Sequence, residues 1–568
     1  MSTKICYKEH SIHERLEFIY GKEIAAEAIT ELSMLINKYR ELITSTEYHL
    51  SEKDTILITY GDQVQHLNET PLESLYGFLD NNLQGKVNSV HILPFYPYSS
   101  DDGFSVVNYS EVDPKLGSWK EIEHISQKYR LMVDGVINHI SQFSDWFKAY
   151  LAGDEEYKDF FTELDPSTEL CAVTRPRATP LLHDYEDAQG NKRYIWTTFS
   201  RDQVDLNYAN YKVLLAVLDA LFYYILKGAT LIRLDAIAFI WKELGTECVH
   251  LPQTHELIQL MREVLHEIAP EVIIITETNV PHDENISYFG SGNDEAQMVY
   301  NFALPPLLVH SMHTHNTTKL TKWAKSLHLP SDKVCFFNFT ASHDGCGLRP
   351  VSGLLDEDEI SSMVKKIEEN GGLVSYRNTP EGEKPYELNC SYIDMLSSSS
   401  DSDNLRQKRM LLTQAATLAM PGIPGIYFHS LVGSRNYHEG VKLSGVNRTI
   451  NREKLNVDRL NAELSEEGSL RKGVFSKYLD LISIRTREKA FNPFVAFEFL
   501  DLHESLFCIY KRINGESILA LHNFSDTHVK CALPEDIPLE LDELIGDVRV
   551  KHSGEIVIAP YEVMWLKF

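Results

Sequence analysis

Three apolar runs that each lead to a carboxylate constrain this chain most. Residues 229–235 read Ala-Thr-Leu-Ile-Arg-Leu-Asp, an apolar strand with Arg233 inside it and Asp235 at its tip. Residues 272–277, Val-Ile-Ile-Ile-Thr-Glu, end in the same way on Glu277, and the run that starts at Val334 is followed by His343 and Asp344. Near-continuous apolar strands suit a sheet covered on both faces, which is the situation of parallel sheets. Side chains alternate along a strand, so Arg233 and Asp235 share a face, and a structural ion pair between them is one reading of the pattern. The other is a functional cluster, because parallel barrels carry their chemistry at the C-terminal ends of their strands, where three such acids would meet.

The rest of the chain alternates around these runs. Residues 55–61, 87–95 and 131–137 read as strands one to three, 229–235 and 272–277 as four and five, and 297–303 as six. A seventh strand ends at Asp344, and 421–428 would close the set. Helical spacing covers 72–83, 211–227, 253–268, 405–419 and 469–489, and Ser118 followed by Glu121 marks a capping box before a further helix. This order predicts an α/β chain built on a (β/α)8 TIM barrel, with inserted subdomains after strands three and seven. Segments 138–209 and 345–401 are too long and irregular for ordinary βα loops. The expected division is a helical extension over 1–53, barrel parts over 54–137, 210–344 and 402–489, the two insertions, and a C-terminal β-sandwich over 490–568. Within 11–45, Leu16, Ile19, Ile24, Ile29, Leu32, Leu35 and Ile36 form an apolar stripe. We read it as packing on the barrel, with a homodimer contact as the alternative.

Composition narrows the partners. A net charge of −28 argues against nucleic acid and anionic membranes. The eight cysteines form no CxxC pair and suit free thiols in a reducing compartment. The N-terminal residues lack the apolar core of a signal peptide, and no apolar run reaches the ~18 residues of a membrane span. A cytoplasmic protein is expected.

Asp134-Gly-Val-Ile-Asn-His139, Arg233-Leu-Asp235, Glu277 and His343-Asp344 resemble, in order and spacing, the four short motifs of the α-amylase clan of glycoside-acting enzymes. Val90-His-Ile-Leu-Pro-Phe95, Asp101-Asp-Gly-Phe104, Leu116-Gly-Ser-Trp119, Gln203-Val-Asp205 and Phe302-Ala-Leu-Pro-Pro-Leu-Leu308 are similar to the sucrose phosphorylase branch of that clan. The resemblance covers roughly residues 54–485. Cleaving a glycosidic bond with retention takes a carboxylate that attacks the anomeric carbon and a carboxyl ~5 Å from it that protonates the leaving oxygen. The resemblance implies Asp235 as nucleophile, Glu277 as acid/base and Asp344 as a brace for the sugar hydroxyls. Arg233 would then keep Asp235 ionised, while Glu277 would need a raised pKa.

For the glucosyl unit the same resemblance implies His139 at the 6-hydroxyl, His343 on the opposite side of the ring, Asp101 with Arg448 at the 4-hydroxyl, and Phe104 stacked on the sugar. On the acceptor side it implies a phosphate contact from Arg177 of the pair Arg175-Pro-Arg177, together with Tyr386. Phe199, Gln203, Lys242, Asn279, Glu387 and Asn389 complete the expected acceptor site. Asp134 and Asn138 stand where amylases build a calcium site, but this branch does without that metal, so neither metal nor cofactor is expected.

Two positions depart from the sucrose enzymes of the branch: Glu387 replaces a glutamine and Asn279 a histidine, both on the acceptor side. Thr276-Glu-Thr-Asn-Val-Pro-His282 and Pro385-Tyr-Glu-Leu-Asn389 look more like the glucosylglycerate phosphorylases of the branch, whose acceptor is D-glycerate. A desolvated glycerate carboxylate needs a cation, to be supplied by Arg175, Arg177 or Lys242, with Glu387 accepting a hydrogen bond from an acceptor hydroxyl. The expectation is a retaining phosphorylase that converts 2-O-α-D-glucosyl-D-glycerate and inorganic phosphate into α-D-glucose 1-phosphate and D-glycerate. Sucrose, sucrose 6-phosphate and glucosylglycerol phosphorylases are the alternatives within the branch, followed by a hydrolase or transglucosylase. A non-catalytic amylase-like binding protein is the alternative of another class.

Overall fold

Eight short parallel strands close into a barrel. They are β1 (Ile56–Thr59), β2 (Ser89–Ile92), β3 (Arg130–Gly135), β4 (Ala229–Leu234), β5 (Ile273–Thr276), β6 (Met298–Tyr300), β7 (Cys335–Phe339) and β8 (Ile423–Tyr427). Each pairs with the next, and β8 returns to β1 with Leu57 opposite Ile426. The structure, a computed structural model, describes residues 2–46, 48–177, 179–379 and 382–568, with side chains from residue 11 onward and outside 378–381. The Cys6 thiol therefore lies outside the described part. Every residue of β1, β2, β5, β6, β7 and β8 is buried, as apolar runs on two covered faces require.

The seventh strand corrects the sequence reading. Its ladder with β8 stops at Phe339, opposite Gly425, so Asp344 stands on the loop beyond the strand and not at its tip. The capping box at Ser118 and Glu121 forms as predicted and opens the helix Trp119–Ser126.

The N-terminal extension consists of two helices, α1 (Ser2–Tyr20) and α2 (Lys22–Arg40), separated at Gly21. α1 packs on the barrel helix Pro252–Ile268, and α2 packs on that helix and on Tyr211–Leu226. Leu16, Ile19, Leu32 and Ile36 of the apolar stripe are buried in this contact, whereas Ile24 is exposed. Arg15 ties α1 down through Glu256 at 2.6 Å, and Lys38 ties α2 to Asp219 at 2.8 Å.

After β3 the chain forms two antiparallel ladders, His139–Ser141 with Gln203–Asp205 and Leu182–Glu186 with Lys192–Trp196. After β7 it forms a three-stranded sheet in the order Cys346–Gly347, Gly382–Asn389, Leu373–Thr379. The C-terminal part is a six-stranded antiparallel sheet with a separate two-stranded ladder, and Cys508, Leu519, Leu541 and Leu566 belong to its own apolar core. Among the described residues no helix is long and apolar enough to cross a membrane. Cys171, Cys248, Cys335, Cys346, Cys390, Cys508 and Cys531 are free.

Candidate active site

The C-terminal ends of β3, β4 and β5 build the centre of the site around one guanidinium. Arg233 is 2% exposed and donates to Asp235 Oδ1 at 2.9 Å. The same nitrogen bonds more tightly to Asp134 on β3, which also meets His91 Nε2 at 2.7 Å. Glu277 lies 3.7 Å from the other guanidinium nitrogen. Arg233 is thus a structural partner of Asp134 and a neighbour of both Asp235 and Glu277. A buried cation shared in this way cannot lose its partners cheaply; stranding such a charge costs ~3–5 kcal/mol.

Immediately after Asp235, Ala236 sits in the left-handed region at φ +51, and its N–H donates to Glu277 Oε2 at 3.2 Å. Strain of this kind in a residue with a side chain costs ~1–3 kcal/mol and persists where the surroundings over-determine it. Here it joins the strand of Asp235 to Glu277.

Environment separates the three acids. Burial pushes Glu277 up to about 7, against the pull of Arg233, with Asp235 and Asp344 adding to the rise. Burial also raises Asp235, and Arg233, then His139, oppose that rise. Asp344 goes the other way: burial is outweighed by Arg448, then by His343 and Arg452, which hold it well below the usual carboxylate range.

The predicted sugar-binding residues come together. His139 Nε2 lies 2.9 Å from the carbonyl of Phe104 and 3.2 Å from Gln203 Nε2. Phe104 stacks on His343 with ring centroids 4.6 Å apart. Gly103, at φ +110, brings this turn against Pro94, whose carbonyl oxygen would be 2.6 Å from any Cβ there, so only glycine fits.

Asp101 and Arg448, expected at the sugar 4-hydroxyl, both line the cleft, and Asp101 pairs with Arg177 at 3.4 Å. Arg448 grips Glu387 with two nitrogens, at 3.0 and 2.6 Å, and also pairs closely with Asp344. A planar carboxylate matches the guanidinium fork, and Glu387, 1% exposed, supplies it from the second insertion. Glu387 therefore stands behind Arg448 and out of the acceptor space expected for it.

Asp235, Glu277 and Asp344 line one cleft with Arg177, Phe199, Gln203, Asn279 and Tyr386. Three other acceptor candidates do not. Lys242 is buried with its ammonium 2.8 Å from Asp205 and 3.4 Å from Asn138, at the base of the first insertion. Arg175 is exposed and donates to the carbonyl of Thr179. Asn389 is buried and donates to Ser375 Oγ at 3.0 Å. Two arginines unmarked by any sequence motif, Arg349 and Arg377, do reach the cleft. Their one signal was position, in the long insertion that also carries Tyr386.

Residues 83–352 match the α-amylase catalytic-domain family. Over 98% of both chains the protein is 45% identical to the glucosylglycerate phosphorylase of Spirochaeta thermophila, and it is 43% identical to that of Escherichia coli over 98% of this chain and 100% of the other. The chain belongs to the glucosylglycerate phosphorylase family. Similarity to the sucrose phosphorylase of Agrobacterium vitis is lower, 30% over 77% of this chain and 88% of that one. The crystal structure of sucrose 6F-phosphate phosphorylase from Thermoanaerobacter thermosaccharolyticum superposes with a TM-score of 0.73 over 84% of this chain and 94% of its own, at 23% identity. The barrel of this glucosylglycerate phosphorylase family member is therefore shared with a protein of much lower sequence identity.

Proposed function

We propose that this protein cleaves 2-O-α-D-glucosyl-D-glycerate with inorganic phosphate, reversibly, to α-D-glucose 1-phosphate and D-glycerate. One observation carries the reading: a chain 45% identical to a glucosylglycerate phosphorylase along nearly its full length keeps Asp235, Glu277 and Asp344 in a single cleft. In the first displacement Asp235 attacks the anomeric carbon as the glycosidic bond breaks, and Glu277 gives its proton to the departing glycerate oxygen. In the second, a phosphate oxygen attacks the glucosyl ester, Asp235 leaves, and ionised Glu277 takes the phosphate's proton. A carboxyl that titrates near 7 serves as acid and then as base at neutral pH. Asp344, kept ionised by Arg448, braces the sugar hydroxyls, with His139, His343, Asp101 and Phe104 around the ring.

The substrate is tested in the synthetic direction. With α-D-glucose 1-phosphate as donor, phosphate release should be fastest with D-glycerate among D-glycerate, fructose, fructose 6-phosphate and glycerol. Faster release with fructose or its 6-phosphate would remove this substrate and leave the reaction class standing.

Arg177, beside Asp101 and over the Phe199 ring, is assigned to phosphate together with Tyr386. Arg177→Ala is expected to raise the KM for phosphate about tenfold or more, with a much smaller change in inhibition by glucose. Equal shifts in both constants would take Arg177 off the phosphate side.

The proposal also keeps the domain boundaries given above, a homodimer through the outer faces of α1 and α2, where Phe18, Ile24 and Met34 are exposed, and a cytoplasmic location supported by the free cysteines.

A further inference from the structure

We propose that Arg349 and Arg377 form the seat of the acceptor's carboxylate and so set the preference for D-glycerate over neutral acceptors; this rests on the reading above. The two residues come from different parts of the second insertion. Arg349 opens the short turn Arg349–Val351 that follows the strand Cys346–Gly347, and Arg377 lies on the strand Leu373–Thr379. The central strand between them carries Tyr386, whose carbonyl accepts from the Leu348 N–H at 3.0 Å. Arg349, Arg377 and Tyr386 line the same cleft as Glu277 and Asn279.

Their side of the cleft is the leaving-group side. A Cβ on Gly347 would lie 2.7 Å from the Asn279 amide, so the insertion sheet presses on the loop that carries the acid/base. Glu277 has to reach the oxygen between glucose and acceptor, so the acceptor lies between Glu277 and this sheet.

Charge pairing sets Arg349 apart from the other cations near the cleft. Arg233 is held by Asp134 and Asp235, Arg448 by Asp344 and Glu387, and Lys242 by Asp205. Arg452 is held by Asp102, and Arg177 meets Asp101. Arg349, with only 18% of its side chain exposed, meets Glu284 at 3.8 Å, too long for a hydrogen bond, while Glu284 itself lies 3.2 Å from His250 Nε2. Burial lowers the Arg349 pKa, Glu284 opposes that, and the charge of Arg377 lowers it further. Two mutually repelling guanidinium groups facing one cleft form an anion site, and their planar forks suit a carboxylate. The Arg175 and Lys242 candidates for that role lie elsewhere.

The test compares D-glycerate with glycerol, which has a hydroxymethyl group where glycerate has its carboxylate. Arg349→Gln and Arg377→Gln are assayed separately with α-D-glucose 1-phosphate as donor, and Arg349→Lys is made alongside. The ratio of kcat/KM for D-glycerate to that for glycerol is expected to fall about tenfold or more in each glutamine variant, with partial recovery in the lysine variant. The KM for phosphate is measured in the same proteins in the cleavage direction. A glycerate-to-glycerol ratio unchanged within about twofold overturns the inference, whether both acceptors are lost together or neither is. If that ratio stays put while the KM for phosphate rises, the pair serves phosphate and the inference is likewise wrong. Failure of the functional reading is recognised separately, by a parent enzyme that uses fructose faster than D-glycerate.

Discussion

Asp235→Asn should abolish turnover, by ~10⁴-fold or more, with sugar binding retained. An amide cannot form the glucosyl ester on which both displacements depend, yet it keeps the shape of the carboxylate. The fold should tolerate the change, because Arg233 retains its closer bond to Asp134 and its contact with Glu277 at 3.7 Å. Phosphate release from α-D-glucose 1-phosphate and D-glycerate measures the loss, and calorimetric binding of α-D-glucose 1-phosphate checks that the pocket is intact. A variant within tenfold of the parent would end the assignment of Asp235 as nucleophile.

Glu277→Gln separates the acid from the nucleophile. Cleavage of glucosylglycerate, whose alkoxide leaves poorly, is expected to fall by ~10²–10⁴-fold, whereas formation of the glucosyl-enzyme from α-D-glucosyl fluoride should change little, since fluoride needs no proton to depart. The pH profile carries the same information. Glu277 can donate only while protonated and titrates at about 7, so kcat/KM for glucosylglycerate in the parent should fall as pH rises through that value. With the fluoride donor the fall should be absent. Equal losses for both donors would give Glu277 another role.

Part of this protein is written in local pattern. Apolar runs with period-independent burial marked the barrel strands, and the carboxylates beyond three of them marked Asp235, Glu277 and Asp344. Such signals survive in one dimension because a strand covered on both faces must be apolar along its length, and an acid at its tip breaks that run. Ser118 with Glu121 was legible for a related reason, since both halves of a capping box lie within one turn.

Strand ends were less legible. Thr340, Ala341 and Ser342 after Phe339 carry no turn signal, yet the ladder to β8 stops at Phe339, a boundary set by pairing between strands distant in the chain.

Amino-acid order alone therefore marked the parallel barrel, the two long insertions and Asp235, Glu277 and Asp344 as candidate acids. Strand alternation already offered the pair Arg233 and Asp235; tertiary structure decided which of the charges distant in sequence meet. Glu387 and Arg448 are far apart in the chain, yet they form the fork that steadies Asp344 and removes Glu387 from the acceptor space. Lys242, counted from sequence among the acceptor cations, is neutralised by Asp205, while Arg349 and Arg377 are brought to the cleft by an insertion sheet. The physical reason is that burial is a property of a segment and leaves a local pattern, whereas a salt bridge belongs to two side chains whose separation is set only when the whole chain has packed.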